Sequence, residues 1–286
     1  MPADRIIFHA APQDYILDDQ PGIRDPIGMS GSRLEVNVHL VTGAAPSLDN
    51  ITNCVNRAGI EVIEMVLEPL AAAETVLTHD EKEQGVALVD IGGGTTDLAL
   101  FERGAICHTA VLPTGGENFT NDIAVGLRTP RDDAERIKVK YGCALANMVD
   151  DEQTIEVPSF GDRKPRVMLR HILCEILQPR TEEIFNLLQD EIVRAGYENS
   201  LVSGVVVTGG GAILEGVPEI AEQVFDLPVR RGQPIGVGGL VDGIASPIFS
   251  TVVGLVMYGS VSPAQTQKLT VPTFLLGKVG VKMRSW

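Results

Sequence analysis

The stretch Val86-Ala-Leu-Val-Asp-Ile-Gly-Gly-Gly-Thr-Thr-Asp97 narrows the possible folds more than any other part of the chain. From Val86 to Ile91 every position but Asp90 is apolar. A strand with one wet face would alternate, so this run predicts a strand buried on both faces. Gly92, Gly93 and Gly94 then end it in a tight loop. The same plan returns at Val205-Val-Val-Thr208, which runs into Gly209, Gly210 and Gly211. Both strands need cover on two sides. Both also bring bare main-chain N–H groups to a strand end, where a phosphate can approach.

Elsewhere strand and helix signals alternate. Short strands are expected at Arg5 to His9 and Leu34 to Thr42, flanking a Pro/Gly/Asp-rich stretch from Asp18 to Gly31. Ser47 to Ala58 opens on polar residues and carries Ile51, Val55 and Ala58 at helical spacing. A strand is predicted over Glu61 to Leu67, then an alanine-rich helix from Pro69 to about Leu77. Ala87 to Ile91, Asp97 to Phe101 and Ala105 to Leu112 read as consecutive hairpin strands, with a turn at Arg103-Gly104. From Asn118 to about Gly196 the pattern is mostly helical, broken between Asp150 and Pro165. There the segment Thr181 to Arg194 carries Ile184, Leu187, Leu188 and Ile192 on one stripe. The β pattern resumes at Leu201, and a helix is expected from near Pro218. This alternation predicts an α/β fold.

The 286 residues are 44% hydrophobic and 21% charged, enough apolar surface for one large domain or two ordinary ones. With 23 basic against 38 acidic residues the net charge is −15, which argues against a nucleic-acid partner. Cys54, Cys107, Cys143 and Cys174 make no metal-type pair and read as buried free thiols in a reducing compartment. Met1 to Arg5 opens no apolar signal segment, and the longest apolar stretch, Ile248 to Tyr258, is broken by Ser, Thr and Gly. Neither export nor a membrane span is expected.

The chemistry concentrates on the glycine loops. Gly92, Gly93 and Gly94 let a turn wrap a phosphate, Thr95 and Thr96 offer hydroxyls, and Asp90 stands where a hydrated Mg2+ can be held through its waters. Asp90 to Asp97 resembles the second phosphate-binding loop of the actin, Hsp70 and sugar-kinase ATPase superfamily. Val206-Val-Thr-Gly-Gly-Gly-Ala212 is similar to that superfamily's adenosine motif, which implies that Gly209, Gly210 and Gly211 pass flat against purine and ribose. Gly115-Gly116-Glu117-Asn118-Phe119 resembles the turn into the second lobe. The resemblance implies that Glu135 and Lys138 reach ribose and base, although three residues apart on one helix face they equally make a surface ion pair. Glu68-Pro69-Leu70-Ala71 resembles the segment whose glutamate positions the attacking water; a helix N-terminal charge cap explains Glu68 as well. Ser250 to Val256 resembles the second connecting helix, small enough to permit hinge motion between lobes.

Pro12 to Glu35, followed by Val38-His-Leu-Val-Thr42, resembles the FtsA family of bacterial cell-division proteins, and the similarity runs on through Arg166 to Pro179 and Ile235 to Gly259. This implies an actin-like ATPase fold. Residues 1–84 would be the remnant of a first lobe, with the family's extra subdomain over about 1–48. Residues 85–259 would be a complete second lobe with an inserted helical subdomain over about 118–200. A first phosphate loop is expected upstream of this sequence, so ATP should bind weakly here and hydrolysis should be slight. Residues 260–273 read as a linker. Residues 274–286, with Leu275, Leu276, Val279, Met283 and Trp286 on one face among basic residues, read as an amphipathic helix for an anionic membrane, or alternatively as a core-docking helix. The resemblance further implies ATP and Mg2+ as ligands, filament formation, FtsZ as partner and later division proteins at the N-terminal subdomain. The expected place is the septum, on the cytoplasmic face of the bacterial inner membrane. The alternative is an ATP-consuming enzyme or chaperone of the same superfamily, a sugar kinase or an Hsp70-like protein.

Overall fold

A computed structural model describes residues 4–161, 163–239 and 243–261. The chain opens with a small antiparallel sheet of β1 (Arg5–Leu17), β2 (Gln20–Ile23) and β3 (Leu34–Ala44), in the order β2-β1-β3. Asp18 and Asp19 join β1 to β2 with φ of 47° and 68°. Positive φ at both central residues gives the turn whose twist suits a two-residue hairpin, and aspartate tolerates it better than most. The Asp18 carboxylate also accepts the N–H groups of Ser32 and Arg33, closing the Pro/Gly/Asp-rich loop. Helix α1 (Ala45–Arg57) follows.

The predicted strand over Glu61 to Leu67 does not form. These residues are irregular, and the Leu67 N–H donates to Nε2 of His9. A β-prone run becomes a strand only against a partner edge, and among the described residues none pairs with it.

The body is a five-stranded sheet. It is built from β4 (Val86–Ile91), β5 (Thr96–Glu102), β6 (Ala105–Leu112), β9 (Val205–Thr208) and β10 (Val229–Arg231), ordered β10-β9-β4-β5-β6. Neighbours β10, β9 and β4 run parallel, while β4-β5-β6 is an antiparallel meander. All six residues of β4 are buried, Asp90 included, as a strand apolar at all its other positions requires. On one face Ala87, Val89, Ile91, Leu98, Leu100 and Val207 meet helices α4 (Gly116–Gly126), α6 (Arg170–Ala195) and α7 (Val217–Phe225) in one core. On the other, Val86, Leu88, Ala99 and Phe101 meet Ala72, Ala73 and Val76 of α2 (Glu68–Val76).

Between α2 and β4 lies the short helix α3 (His79–Gln84), closed by a capping box of Thr78 and Glu81. Helix α5 (Arg131–Tyr141) and the hairpin of β7 (Thr154–Val157) and β8 (Arg166–Leu169) complete the stretch expected as an insertion. Its Phe119, Ile123, Ile155, Leu173 and Phe185 belong to the same core as the sheet. Helix α8 (Ser250–Val261) crosses α2 so closely that a Cβ on Gly254 would stand 1.8 Å from the Ala71 carbonyl oxygen.

The four cysteines are free. Cys143 and Cys174 are buried as expected, but Cys107 is only half-buried and Cys54 is exposed, because it lies on α1, which buries none of its residues. Among the described residues no helix is long and apolar enough to cross a membrane. The expected linker and all of the expected amphipathic helix fall outside the described residues, apart from Ser260 and Val261 at the end of α8.

Candidate functional site

The two glycine loops lie side by side because their strands do: Asp90 of β4 pairs with Thr208 of β9. The loop from Gly92 to Thr95 is held from below by the start of α4, where Gly116 and Glu117 donate their N–H groups to the carbonyls of Gly92 and Gly93 at 2.9 and 2.7 Å. Asn118 folds back so that its Oδ1 accepts the Gly115 N–H. Beside these loops opens a cavity of about 790 Å³, within the range of small-molecule sites. Gly92, Gly93, Gly116, Glu135, Lys138, Gly210 and Gly211 line it.

The glycines divide into two kinds. A Cβ on Gly209 would meet the Asp90 carboxylate at 2.2 Å, and one on Gly211 would meet Ile91 at 2.3 Å. The packing of β9 against β4 therefore demands glycine at those places. At Gly93 and Gly94 a Cβ would find nothing within 4 Å, and neither residue has a positive φ. The fold itself does not require glycine there.

The lining carries Arg131, Lys138, Lys140 and Arg170 against Glu117, Asp132, Glu135 and Glu215, four charges of each sign. In a chain at −15 this is a locally neutral surface, open to an anion. Lys138 donates to the Gly116 carbonyl at 2.9 Å, to Oγ1 of Thr120 at 2.8 Å and to Glu135 at 2.7 Å. All three of its protons are thereby placed on protein acceptors, and Thr120 also donates to Glu135. Burial pushes the Glu135 carboxyl up, but the Lys138 and Thr120 hydrogen bonds and the charges of Lys138 and Arg131 outweigh it and hold the group below the usual range.

Asp90 faces the α2 and α8 side of the sheet, with Asp97 directly across the hairpin. The Asp90 carboxyl is pushed up to about 7, by burial first and then by Glu68 and Asp97, with a Thr251 hydrogen bond opposing. Asp97 is pushed up to about 6 by burial and Glu68, with Thr95 opposing. The Thr251 hydroxyl stands 3.3 Å from Asp90 and 3.4 Å from Glu68, so one donor serves two acceptors. Such a crowd of carboxylates fits a divalent cation held through water. Among the described residues no three His, Cys, Asp or Glu converge for direct coordination.

A family model described as "Cell division protein FtsA" matches residues 87–254, and one described as "SHS2 domain inserted in FTSA" matches residues 1–42. The chain belongs to the FtsA family. It is 54% identical over 259 residues to the cell division protein FtsA of Pseudomonas aeruginosa, covering 91% of this chain and 62% of that protein. With the Escherichia coli K12 FtsA the identity is 43% over 263 residues, covering 90% and 63%. The chain thus spans less than two thirds of the length of these relatives. Solved structures share the actin-like ATPase fold. The PilM-PilN type IV pilus biogenesis complex gives a TM-score of 0.65 at 16% identity, over 91% of this chain and 68% of that one. MreB5 of Spiroplasma citri bound to ADP gives 0.60 at 20%, over 78% and 68%.

In this FtsA-family chain the expected site residues are thus mostly, but not all, gathered at the cavity. Gly94 and Thr95 are exposed on the same loop, and Gly209 packs beneath it on Asp90. Thr96 departs from expectation: it is fully buried as the first residue of β5, and its hydroxyl donates to the Thr114 carbonyl at 2.7 Å, so it secures the loop and offers nothing outward. Glu68 does not line the cavity; it stands at the start of α2 beside Thr251. Sequence reasoning missed Arg170, Glu215 and Thr251. No local pattern marks them, since each reaches the site through a contact distant in sequence.

Proposed function

We propose that this chain is the nucleotide-binding body of an actin-like division scaffold. It holds ATP, assembles into filaments and couples FtsZ to the cytoplasmic face of the bacterial inner membrane at the septum, with later division proteins meeting the N-terminal sheet. Binding, with slight turnover at most, is its working step. The observation that carries the nucleotide reading is the bare pair Gly93 and Gly94, two glycines that the fold does not require, at a cavity edge where backbone N–H groups are free of side chains.

On this reading Gly92, Gly93, Gly94 and Thr95 surround the phosphates, while Gly209, Gly210 and Gly211 give purine and ribose a flat wall. Glu135 and Lys138 meet the ribose, and Lys138 also ties α5 to the start of α4. Asp90 orders Mg2+ through water, with Asp97 adding charge, and Glu68 positions a water. The cation, when bound, supplies positive charge that offsets both the phosphates and these carboxylates. Fold neighbours bound to ADP, bound to AMPPNP or forming a double helical filament agree with nucleotide binding and assembly.

The test is calorimetric titration with ADP and ATP, with and without Mg2+, of the wild type and of Gly93→Ala/Gly94→Ala. Added methyls meet no protein atom, so the melting temperature should hold while affinity drops at least about tenfold, one charge-assisted hydrogen bond or more. Unchanged affinity overturns the phosphate assignment. Co-sedimentation with FtsZ and with anionic liposomes tests the scaffold role, and binding to neither overturns it.

A further inference from the structure

Helix α8 carries Thr251, Gly254 and Tyr258 at spacings of three and four, which puts them on one face. That face lies on α2 and the chain before it: Gly254 packs on the Ala71 backbone, and the Tyr258 hydroxyl donates to Oε1 of Glu64 at 3.0 Å. The first turn is tied to the sheet as well. Fully buried Ser250 stands 2.7 Å from the Thr208 hydroxyl, whose own proton goes to the Gly232 carbonyl at 3.1 Å, so Ser250 is the donor. Thr251 therefore projects from a helix that is held on both sides of it.

The two carboxylates that Thr251 meets are not held alike. Asp90 is only 3% exposed, and its Oδ1 packs so closely on Gly209 that a Cβ there would stand 2.2 Å away, so the fold fixes Asp90 with or without Thr251. Glu68 is the exposed first residue of α2, and among the described residues the Thr251 hydroxyl is the one donor to its side chain. Without that donor, water is its partner. The single Thr251 proton is shared between Oδ2 of Asp90 at 3.3 Å and Oε1 of Glu68 at 3.4 Å, which keeps the mobile carboxylate beside the fixed one.

We propose that Thr251 is a positioning residue that keeps the Glu68 carboxylate turned in beside Asp90 and thereby strengthens cation-dependent nucleotide binding; this rests on the nucleotide and Mg2+ reading above. With Glu68 turned in, a hydrated cation meets its charge as well as that of Asp90, whereas ADP without a cation meets the same charge as repulsion. Loss of the hydroxyl should therefore weaken Mg2+-ADP and spare ADP alone. A mere loosening of α8 would weaken both.

The experiment is calorimetry on the wild type, Thr251→Val, Thr251→Ser, Glu68→Ala and the double variant Thr251→Val/Glu68→Ala, each titrated with ADP in a chelator and with Mg2+-ADP. Thr251→Val keeps the shape of the side chain and removes its proton. The gain in ADP affinity on adding Mg2+ should then fall by about three- to tenfold, the lower range for a bond to a charged group because both distances are long for a hydroxyl. Thr251→Ser should retain most of the gain. Glu68→Ala should lose as much as Thr251→Val, and the double variant no more than either, since both act through one carboxylate. An undiminished gain in Thr251→Val, equal weakening of ADP with and without the cation, or additive losses in the double variant overturns this assignment and leaves the nucleotide reading intact. A wild type that binds ADP with no gain from Mg2+ overturns the cation reading and this inference with it. One that binds no nucleotide overturns the nucleotide reading itself.

Discussion

Between residues 4 and 67 no side chain is buried, although β1 and β3 are the longest strands of the molecule; in β4 all six are. Leu34, Val36, Val38 and Leu40 alternate along β3 as a half-buried strand should, yet they are 37 to 54% exposed. The small sheet meets the body mainly through polar contacts. Gln13 donates to the carbonyls of Ile106 and Cys107, His39 meets Thr109, and Arg24 pairs with Glu83. The central sheet is packed on both faces by helices. The difference teaches that strand length and ladder count do not make a region rigid; cover does, because burial and not pairing supplies most of the stabilisation. Both glycine loops spring from the rigid sheet, where backbone position is held tightly enough to meet a small ligand.

The comparison breaks most visibly in the cores. Phe185→Ala removes a fully buried ring packed edge-on against Phe225 and should cost about 3–5 kcal/mol, whereas Val38→Ala should cost under about 1 kcal/mol. Equal shifts in chemical denaturation would show that the small sheet has cover of its own.

Next in size is the pH response of the acid cluster. Asp90 titrates at about 7 in the folded protein, above its ordinary range, so the stability linked to it is full below about pH 4 and is lost as pH rises through 7. Asp90→Asn should therefore stabilise the ligand-free protein at pH 8 by up to about 4 kcal/mol and leave it nearly unchanged at pH 4. A pH-independent effect would remove Asp90 from the cause.

Gly254→Ala tests the α2–α8 crossing. Its methyl meets the Ala71 carbonyl, so the helices must separate, at a cost of about 1–3 kcal/mol in thermal or chemical melting. A neutral result would mean that the crossing yields freely.

The smallest effect has the opposite sign with pH. Burial lowers His9 against the pull of Glu64, and burial with His108 lowers His39, so both histidines sit neutral in the folded state. Their contribution is present above about pH 6.5 and is lost as pH falls through their lowered values. Acidification should release the N-terminal sheet first, by under about 1 kcal/mol after solvent screening, seen as faster hydrogen exchange in β1 and β3 with β4 unchanged. Uniform exchange across both sheets would contradict separate docking.

Much of the central sheet was legible in sequence because its signals are local. Five apolar residues among the six from Val86 to Ile91 predict a doubly covered strand, and glycine triplets mark where strands end, whatever the rest of the chain does. The α/β class and the three-strand meander follow from such covalent neighbours, whereas the approach of the two glycine loops waits on β4 pairing with β9. Glu61 to Leu67 had the same local look and did not become a strand, since pairing depends on an edge elsewhere. The sequence could not distinguish Gly93 and Gly94, which the packing leaves free, from Gly209 and Gly211, which it requires. Nor could it turn the Thr96 hydroxyl inward, or bring Arg170 to Glu215 across 45 positions and Thr251 to Asp90 across 161. Those meetings depend on how helices settle on the sheet, a sum of many small contacts distant in sequence, and so only the tertiary structure decided them.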